Sequence, residues 1–342
     1  MIVGMDISPL AQTRAGTARY IRGLLDRLRV EVRPLSFGGA GRGSTIARDA
    51  LWYPLALGRA RGLDVLHCPT FRGPLRPRVP LVVTVHDLAV LRHPELFNGW
   101  TRRYSRTLVP RVVRRARHVI TVSEFTKREV VELLGVPEER VRVIGNAVEA
   151  VFAADGPAVD GDYVLAVGTI EPRKNLGRLV EAARRAGAEL RVVGARGWGD
   201  VPLDGVRWLG EVSDDELARL YRGAAVVAYP SLYEGFGIPV LEAMACGAPV
   251  VTSRGGATAE IAGGAAVLVD PFDAASIAAG LEEASRRREE LRAAGLERAR
   301  AFSWDAVARA HEAVYEEACG VGSTEPPRSG GAGFAGAGAE RL

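Results

Sequence analysis

The chain alternates short apolar runs with stretches whose apolar residues recur every three or four positions, and it does so twice. In the first half the runs are MIVGMD, DVLHC, PLVVTVHD, HVITVS and VRVIGN. Helical periodicity fills much of the space between them, over 16–29, 101–117 and 124–134. The segment AVEAVFAADGPAVDGD then breaks the rhythm and reads as a linker, over 147–162. The rhythm restarts with YVLAVG, ELRVVG, VRWLG, AVVAYP, PVVTS and AAVLVD. None of these runs alternates strictly, which is the signature of strands buried on both faces of a parallel sheet. Strand–helix alternation of this kind builds doubly wound sheets, so the pattern predicts an α/β protein of two Rossmann-like domains. The predicted domains are 1–149 and 150–302. A final helix over 303–318 starts on Ser303 as its cap, and a Gly/Ala/Pro-rich tail over 320–342 is expected to be disordered.

Bulk properties narrow the class. At 342 residues the chain is too long for one ordinary core, and its composition is that of a globular protein. No run approaches a membrane span, and the N-terminus lacks the basic flank of a secretion signal. Three widely spaced cysteines, Cys68, Cys246 and Cys319, argue for free thiols in a reducing compartment, hence a cytoplasmic protein. Residues 1–150 hold 25 Lys/Arg against 13 Asp/Glu, whereas the remainder is acidic. Part of that excess is the cluster RRYSRTLVPRVVRRAR at 102–117. It reads either as a solvated helix face or as a contact for an anionic membrane surface on the inner face. Nucleic acid is not expected, because no aromatic residues interleave with these charges.

Ligands of open α/β sheets bind outside the carboxyl ends of the strands, so candidate residues should follow the apolar runs. YPSLYEGFGIPVLEA, at 229–243, places Glu234 and Glu242 on either side of Gly235, Phe236 and Gly237. Pro239 suits the first turn of a helix, and the glycines allow close backbone approach. Carboxylates there can accept hydrogen bonds from a vicinal diol, and free N–H groups at the helix start can hold an anion. Taken alone, the pair is equally well one dipole-compensating glutamate and one loop glutamate. Arg173 and Lys174, in VGTIEPRKNL, stand before a helix whose dipole they oppose, a conflict that a bound diphosphate resolves and that Glu171 resolves only in part. His86 follows PLVVTV, and Gly16 opens the first helix. Arg196 and Gly194, and Gly255, Gly256 and Glu260, also follow strand ends. His67, His93, His118 and His311 have no comparable setting. The sequence contains no metal-binding spacing, no P-loop and no clear GxGxxG, and SDDEL at 213–217 reads as a helix cap.

Together VTVHDL, VSEFTKREV, VGTIEPRKNL, EGFGIPVLE and GAPVVTS, in this order along the chain, resemble glycosyltransferase family 4. The resemblance spans 1–318. It implies the GT-B fold, two facing Rossmann-like domains with parallel sheets and an interdomain cleft, in which the last helix packs back on the first domain. It also implies retaining transfer of a hexose, mannose in the nearest subset, from a GDP- or UDP-linked sugar to a glycan or lipid-linked acceptor of bacterial surface polysaccharide or glycolipid synthesis. Neither metal nor cofactor is expected. By the resemblance Glu242 holds the ribose, Glu234 the transferred sugar, Arg173 and Lys174 the diphosphate, and His86 the sugar near its reacting carbon, while Gly16 lies against the donor. The first loop departs from the family's glycine-rich form, with Ala15 and Ala18 where glycines are usual, which weakens the expectation for Gly16. The alternatives are a nucleotide-sugar-binding protein or an epimerase on the same fold. A nicotinamide-dependent oxidoreductase is disfavoured by the missing GxGxxG.

Overall fold

The computed structural model describes residues 1–12, 16–39, 41–199, 201 and 203–320. Of the tail expected over 320–342, residues 321–342 fall outside the described residues, as does Ala15. Two six-stranded sheets, parallel throughout, organise the chain. The first runs β2-β1-β3-β4-β5-β6, with β1 Ile2–Asp6, β2 Glu31–Leu35, β3 Val65–Cys68, β4 Leu81–Val85, β5 His118–Thr121 and β6 Val141–Val143. The second runs β12-β11-β10-β7-β8-β9, with β7 Tyr163–Val167, β8 Glu189–Val193, β9 Arg207–Gly210, β10 Val226–Tyr229, β11 Val250–Ser253 and β12 Val267–Val269. Every run named above is a strand. Central strands such as β4 and β10 are buried along their whole length, which is why their sequences do not alternate.

Two features depart from the sequence reading. Strand β2 was not foreseen: it is an exposed edge strand, EVRPL, and an edge tolerates Pro34 because its missing N–H is not needed there. The helix expected over 101–117 is two helices, Gly99–Thr107 and Val109–Arg115. Pro110 cannot continue the first, and it sits comfortably in the opening turn of the second.

Both sheets have a switch point, between β1 and β3 in the first and between β7 and β10 in the second, where the connections leave in opposite directions and open a crevice. The last helix, Trp304–Cys319, leaves the second sheet and packs into the first core. Its Trp304, Val307, Val314 and Tyr315 join Val3, Met5, Ile21 and Val82. Ser303 caps it, accepting from the Ala306 N–H.

Candidate active site

The β7–β10 switch point carries a tight knot of paired charges. Beyond β7 the chain makes a short turn, Pro172–Lys174, that presents both cations. Asn175 ends this turn in a left-handed conformation, φ 60°, which asparagine tolerates. Its amide donates to the carbonyls of Pro230 and Pro271, 3.0 and 2.6 Å away, tying the turn to the loops after β10 and β12. Glu234 comes from the β10 loop and receives both cations. Arg173 Nη1 donates to Oε2 at 2.7 Å and Lys174 Nζ to Oε1 at 2.6 Å. Arg173 also donates to Glu171 at 2.6 Å and to the Tyr233 carbonyl, and Lys174 to the Tyr229 hydroxyl. Burial resists ionisation of Glu234, but Lys174 and Arg173 outweigh it and hold the carboxyl below its usual range. Burial prevails at Lys174, whose pKa is lowered although Glu234 opposes the shift.

Eight residues on, Glu242 lies in the helix Ile238–Ala245. Gly237 caps that helix with φ 106°, a value L side chains rarely adopt. Arg19, from the helix Gly16–Leu25 of the other half, reaches across and pairs with both Glu242 and Asp214. The Tyr221 hydroxyl donates to the other Glu242 oxygen at 3.0 Å. Burial pushes the Glu242 carboxyl up to about 6, with Arg19 only partly offsetting it. Gly16, on the same helix, faces Ile238 across the cleft.

His86 stands on the opposite wall, after β4. Its Nε2 lies 3.0 Å from the Pro69 carbonyl, which can only accept, so Nε2 carries the proton and Nδ1 is left bare. Burial holds the imidazole below its ordinary pKa and so in the neutral form. The backbone of His86 is also the seat of the β10 loop: a Cβ on Gly235 would come within 1.7 Å of the His86 carbonyl oxygen. The Gly235 carbonyl accepts from Ser123 Oγ at 2.7 Å and Thr126 Oγ1 at 3.1 Å. Glu260 crosses from the second half to the start of the helix Glu124–Leu134 and accepts from the N–H groups of Glu124 and Phe125. The Phe236 side chain turns away from the cleft into a junction core with Val122, Leu241, Ile261 and Phe302, so only its backbone is available to a ligand. Beside Glu234 a cavity of about 290 Å³ opens between this loop, Arg254, Phe272 and Phe125.

The fold thus brings Arg173, Lys174 and Glu234 into direct contact. It lines up Gly235, Gly237 and Glu242 along one loop and helix, and sets Gly16 and His86 against them. Arg196 is exposed, and among the described residues its guanidinium reaches none of the others. The sequence reading missed Arg19, and it read Asp214 only as part of the helix cap at 213–217, which it is, without its pairing to Arg19. Among the described residues, no three His, Cys, Asp or Glu side chains converge as a metal ion would require. No described helix is long and apolar enough to cross a membrane.

Comparison with known proteins agrees with this architecture. Residues 148–302 match the family described as "Glycosyl transferases group 1", and residues 7–151 match "Glycosyltransferase Family 4". Over 271 residues the chain is 33% identical to O-antigen chain mannosyltransferase B of Escherichia coli, covering 70% of this chain and 71% of that one. It is 32% identical over 274 residues to an MMP alpha-(1->4)-mannosyltransferase of Mycolicibacterium hassiacum, covering 70% and 66%. Among solved structures, sucrose-phosphate synthase from Thermosynechococcus elongatus superposes with a TM-score of 0.73 at 20% identity, over 92% of this chain and 98% of that one. Anabaena HepE in complex with UDP and glucose superposes at 0.72 and 18% identity, over 91% and 98%. The fold is GT-B, both halves match in order, and the chain belongs to glycosyltransferase family 4 as a hexosyltransferase.

Proposed function

We propose that this enzyme transfers mannose, with retention and without a metal, from a nucleoside diphosphate sugar to a glycan or lipid-linked acceptor of surface polysaccharide or glycolipid synthesis. The observation that carries the proposal is the Arg173–Lys174–Glu234 knot at a sheet switch point. In this structure the two cations neutralise a buried carboxylate. A diphosphate entering the crevice takes over both cations, and the released Glu234 accepts hydrogen bonds from hydroxyls of the transferred sugar. Glu242, in turn, exchanges Arg19 for the ribose hydroxyls. Cleavage of the glycosidic bond puts negative charge on the β-phosphate, where fixed cations in a dry site stabilise it by a few kcal/mol each. That is the task a metal performs in other transferases. The leaving phosphate then helps deprotonate the acceptor on the same face. His86, neutral with a bare Nδ1, touches the sugar near the reacting carbon.

The mannosyltransferase relatives support mannose as the transferred sugar, and the O-antigen name of one supports a surface glycan as acceptor. Six of the seven arginines of 102–117 lie on the exposed faces of the helices Gly99–Thr107 and Val109–Arg115, and the cluster suits an anionic membrane surface that carries such an acceptor. The test is turnover of a panel of GDP- and UDP-sugars with lipid-linked glycans in the presence of EDTA. Glycoside formation from GDP-mannose is expected. An epimerised sugar as the product, or binding with no turnover of any donor, refutes the proposal.

A further inference from the structure

Beneath the cleft floor of the first half, five buried side chains form a hydrogen-bonded circuit that begins and ends on the last helix. Tyr315 OH lies 2.8 Å from His67 Nδ1, and His67 Nε2 lies 2.9 Å from Thr84 Oγ1. Thr84 Oγ1 lies 2.9 Å from Tyr20 OH, and Tyr20 OH lies 2.6 Å from His311 Nε2. His311 Nδ1 is 2.7 Å from the Val307 carbonyl. All five residues are within 1% of complete burial.

One atom sets the direction of every bond. The Val307 carbonyl can only accept, so His311 carries its proton on Nδ1 and its Nε2 accepts from Tyr20. Tyr20 has then spent its proton and accepts from Thr84. Thr84 in turn accepts from His67 Nε2–H, which leaves His67 Nδ1 to accept from Tyr315. Tyr20, Thr84, His67 and His311 each give one hydrogen and take one, Tyr315 at the head of the circuit gives one, and with neutral imidazoles no alternative direction satisfies them all. Both histidines must be neutral for this, and burial holds the pKa of each below its ordinary value, about 4 for His311.

The circuit reaches the active site through one ring. Tyr20 meets the His86 imidazole edge-on, with centroids 4.8 Å apart and planes at 88°. Its hydroxyl, held from two sides, fixes that ring in position. His86 is therefore clamped between the Tyr20 ring and the Pro69 carbonyl. Tyr20 also follows Arg19, the residue that spans the cleft to Glu242. We infer that Tyr20 is a positioning residue for His86, and that Thr84, His67 and the last helix, through His311 and Tyr315, hold it in register. The inference rests on His86 touching the donor sugar, as proposed above. Its consequence is that the last helix, which arrives from the second half of the chain, is a working part of the catalytic wall of the first.

Thr84→Val tests this by removing the central hydroxyl at nearly constant volume, and Thr84→Ser restores it. Misplacing a group that touches substrate by a fraction of an ångström costs rate more than ground-state binding. Thr84→Val should lower kcat about tenfold or more while leaving the donor KM within about twofold. Thr84→Ser should recover kcat to within about threefold. The ¹⁵N signals of the His86 imidazole, a single Nε2–H tautomer in the wild type, should shift or broaden in Thr84→Val but not in Thr84→Ser. If Thr84→Val is poorly folded, Tyr20→Phe keeps the ring, loses the hydroxyl and should show the same split. Wild-type kcat with unshifted His86 signals in a folded Thr84→Val or Tyr20→Phe protein overturns the inference. Full turnover by His86→Ala instead overturns the reading of His86 itself, and the imidazole signals then still decide whether the circuit holds the ring.

Discussion

Glu242 is kept ionised at a cost to stability, and replacing it exposes that cost. Its carboxyl is buried, and its pKa rises from an ordinary 4.5 to about 6 even with Arg19 and Tyr221 bonded to it. A raised carboxyl pKa means that the folded protein binds this proton more tightly than the unfolded chain does. Stability therefore declines as pH climbs from 4.5 to about 6, and the loss persists above that window. A shift of this size corresponds to about 2 kcal/mol. Glutamine mimics the protonated acid in size and polarity, so Glu242→Gln should match the wild type near pH 4.5. It should be more stable by about 2 kcal/mol at pH 7.5. The assay is urea unfolding of both proteins between pH 4.5 and pH 8, with the difference in ΔG plotted against pH. Affinity for a nucleoside diphosphate should move the other way. Losing charge-assisted bonds to the ribose costs about 1.5–3 kcal/mol, or roughly tenfold or more in Kd. A stability gain coupled to a binding loss marks a residue retained for its ligand. Parallel stability curves at all pH values, together with unchanged affinity, would refute both the burial argument and the ribose role.

Lys174→Ala should cost about 2–4 kcal/mol of transition-state stabilisation, read as a fall in kcat/KM; an unchanged value removes Lys174 from the diphosphate site. Gly235→Ala sets a methyl against the His86 carbonyl, so the seam must open by about 1 Å or more and strain both hydroxyl bonds to the Gly235 carbonyl. About 2 kcal/mol of stability and most turnover should be lost, measured by denaturant unfolding and donor consumption, and a fully active, equally stable variant contradicts the close seat. The seven arginines of 102–117 are exposed, and among the described residues none pairs with a carboxylate. Association with anionic vesicles should therefore fall steeply between about 50 and about 500 mM salt, whereas absent or salt-independent association means a solvated face.

How legible these features were depended on whether their cause was local. Strands β7 to β12 declared themselves because burial on both faces demands unbroken apolar runs, whereas β2 did not, because an edge strand needs few apolar residues and can carry Pro34. Glu234, Arg173 and Lys174 were legible because each follows a strand. Arg19 was not. Its partners lie 223 and 195 residues away, and nothing in TARYIRG distinguishes it from a solvated helix arginine. Phe236 looked like a ligand contact because glycines flank it, yet its side chain fills a junction core built largely from distant residues. His67 and His311 were passed over as lone histidines. They are indeed buried, but the bonds they make reach Tyr315 across 248 residues and Tyr20 across 291.

The most direct measurement of the central claim is the position of a bound nucleoside diphosphate in crystals soaked with GDP or UDP. The account predicts diphosphate oxygens within hydrogen-bonding distance of Arg173 and Lys174, ribose hydroxyls on Glu242, and Arg19 displaced from that carboxylate. A nucleotide lodged away from the β7–β10 switch point, with the Arg173–Lys174–Glu234 contacts intact, would contradict it.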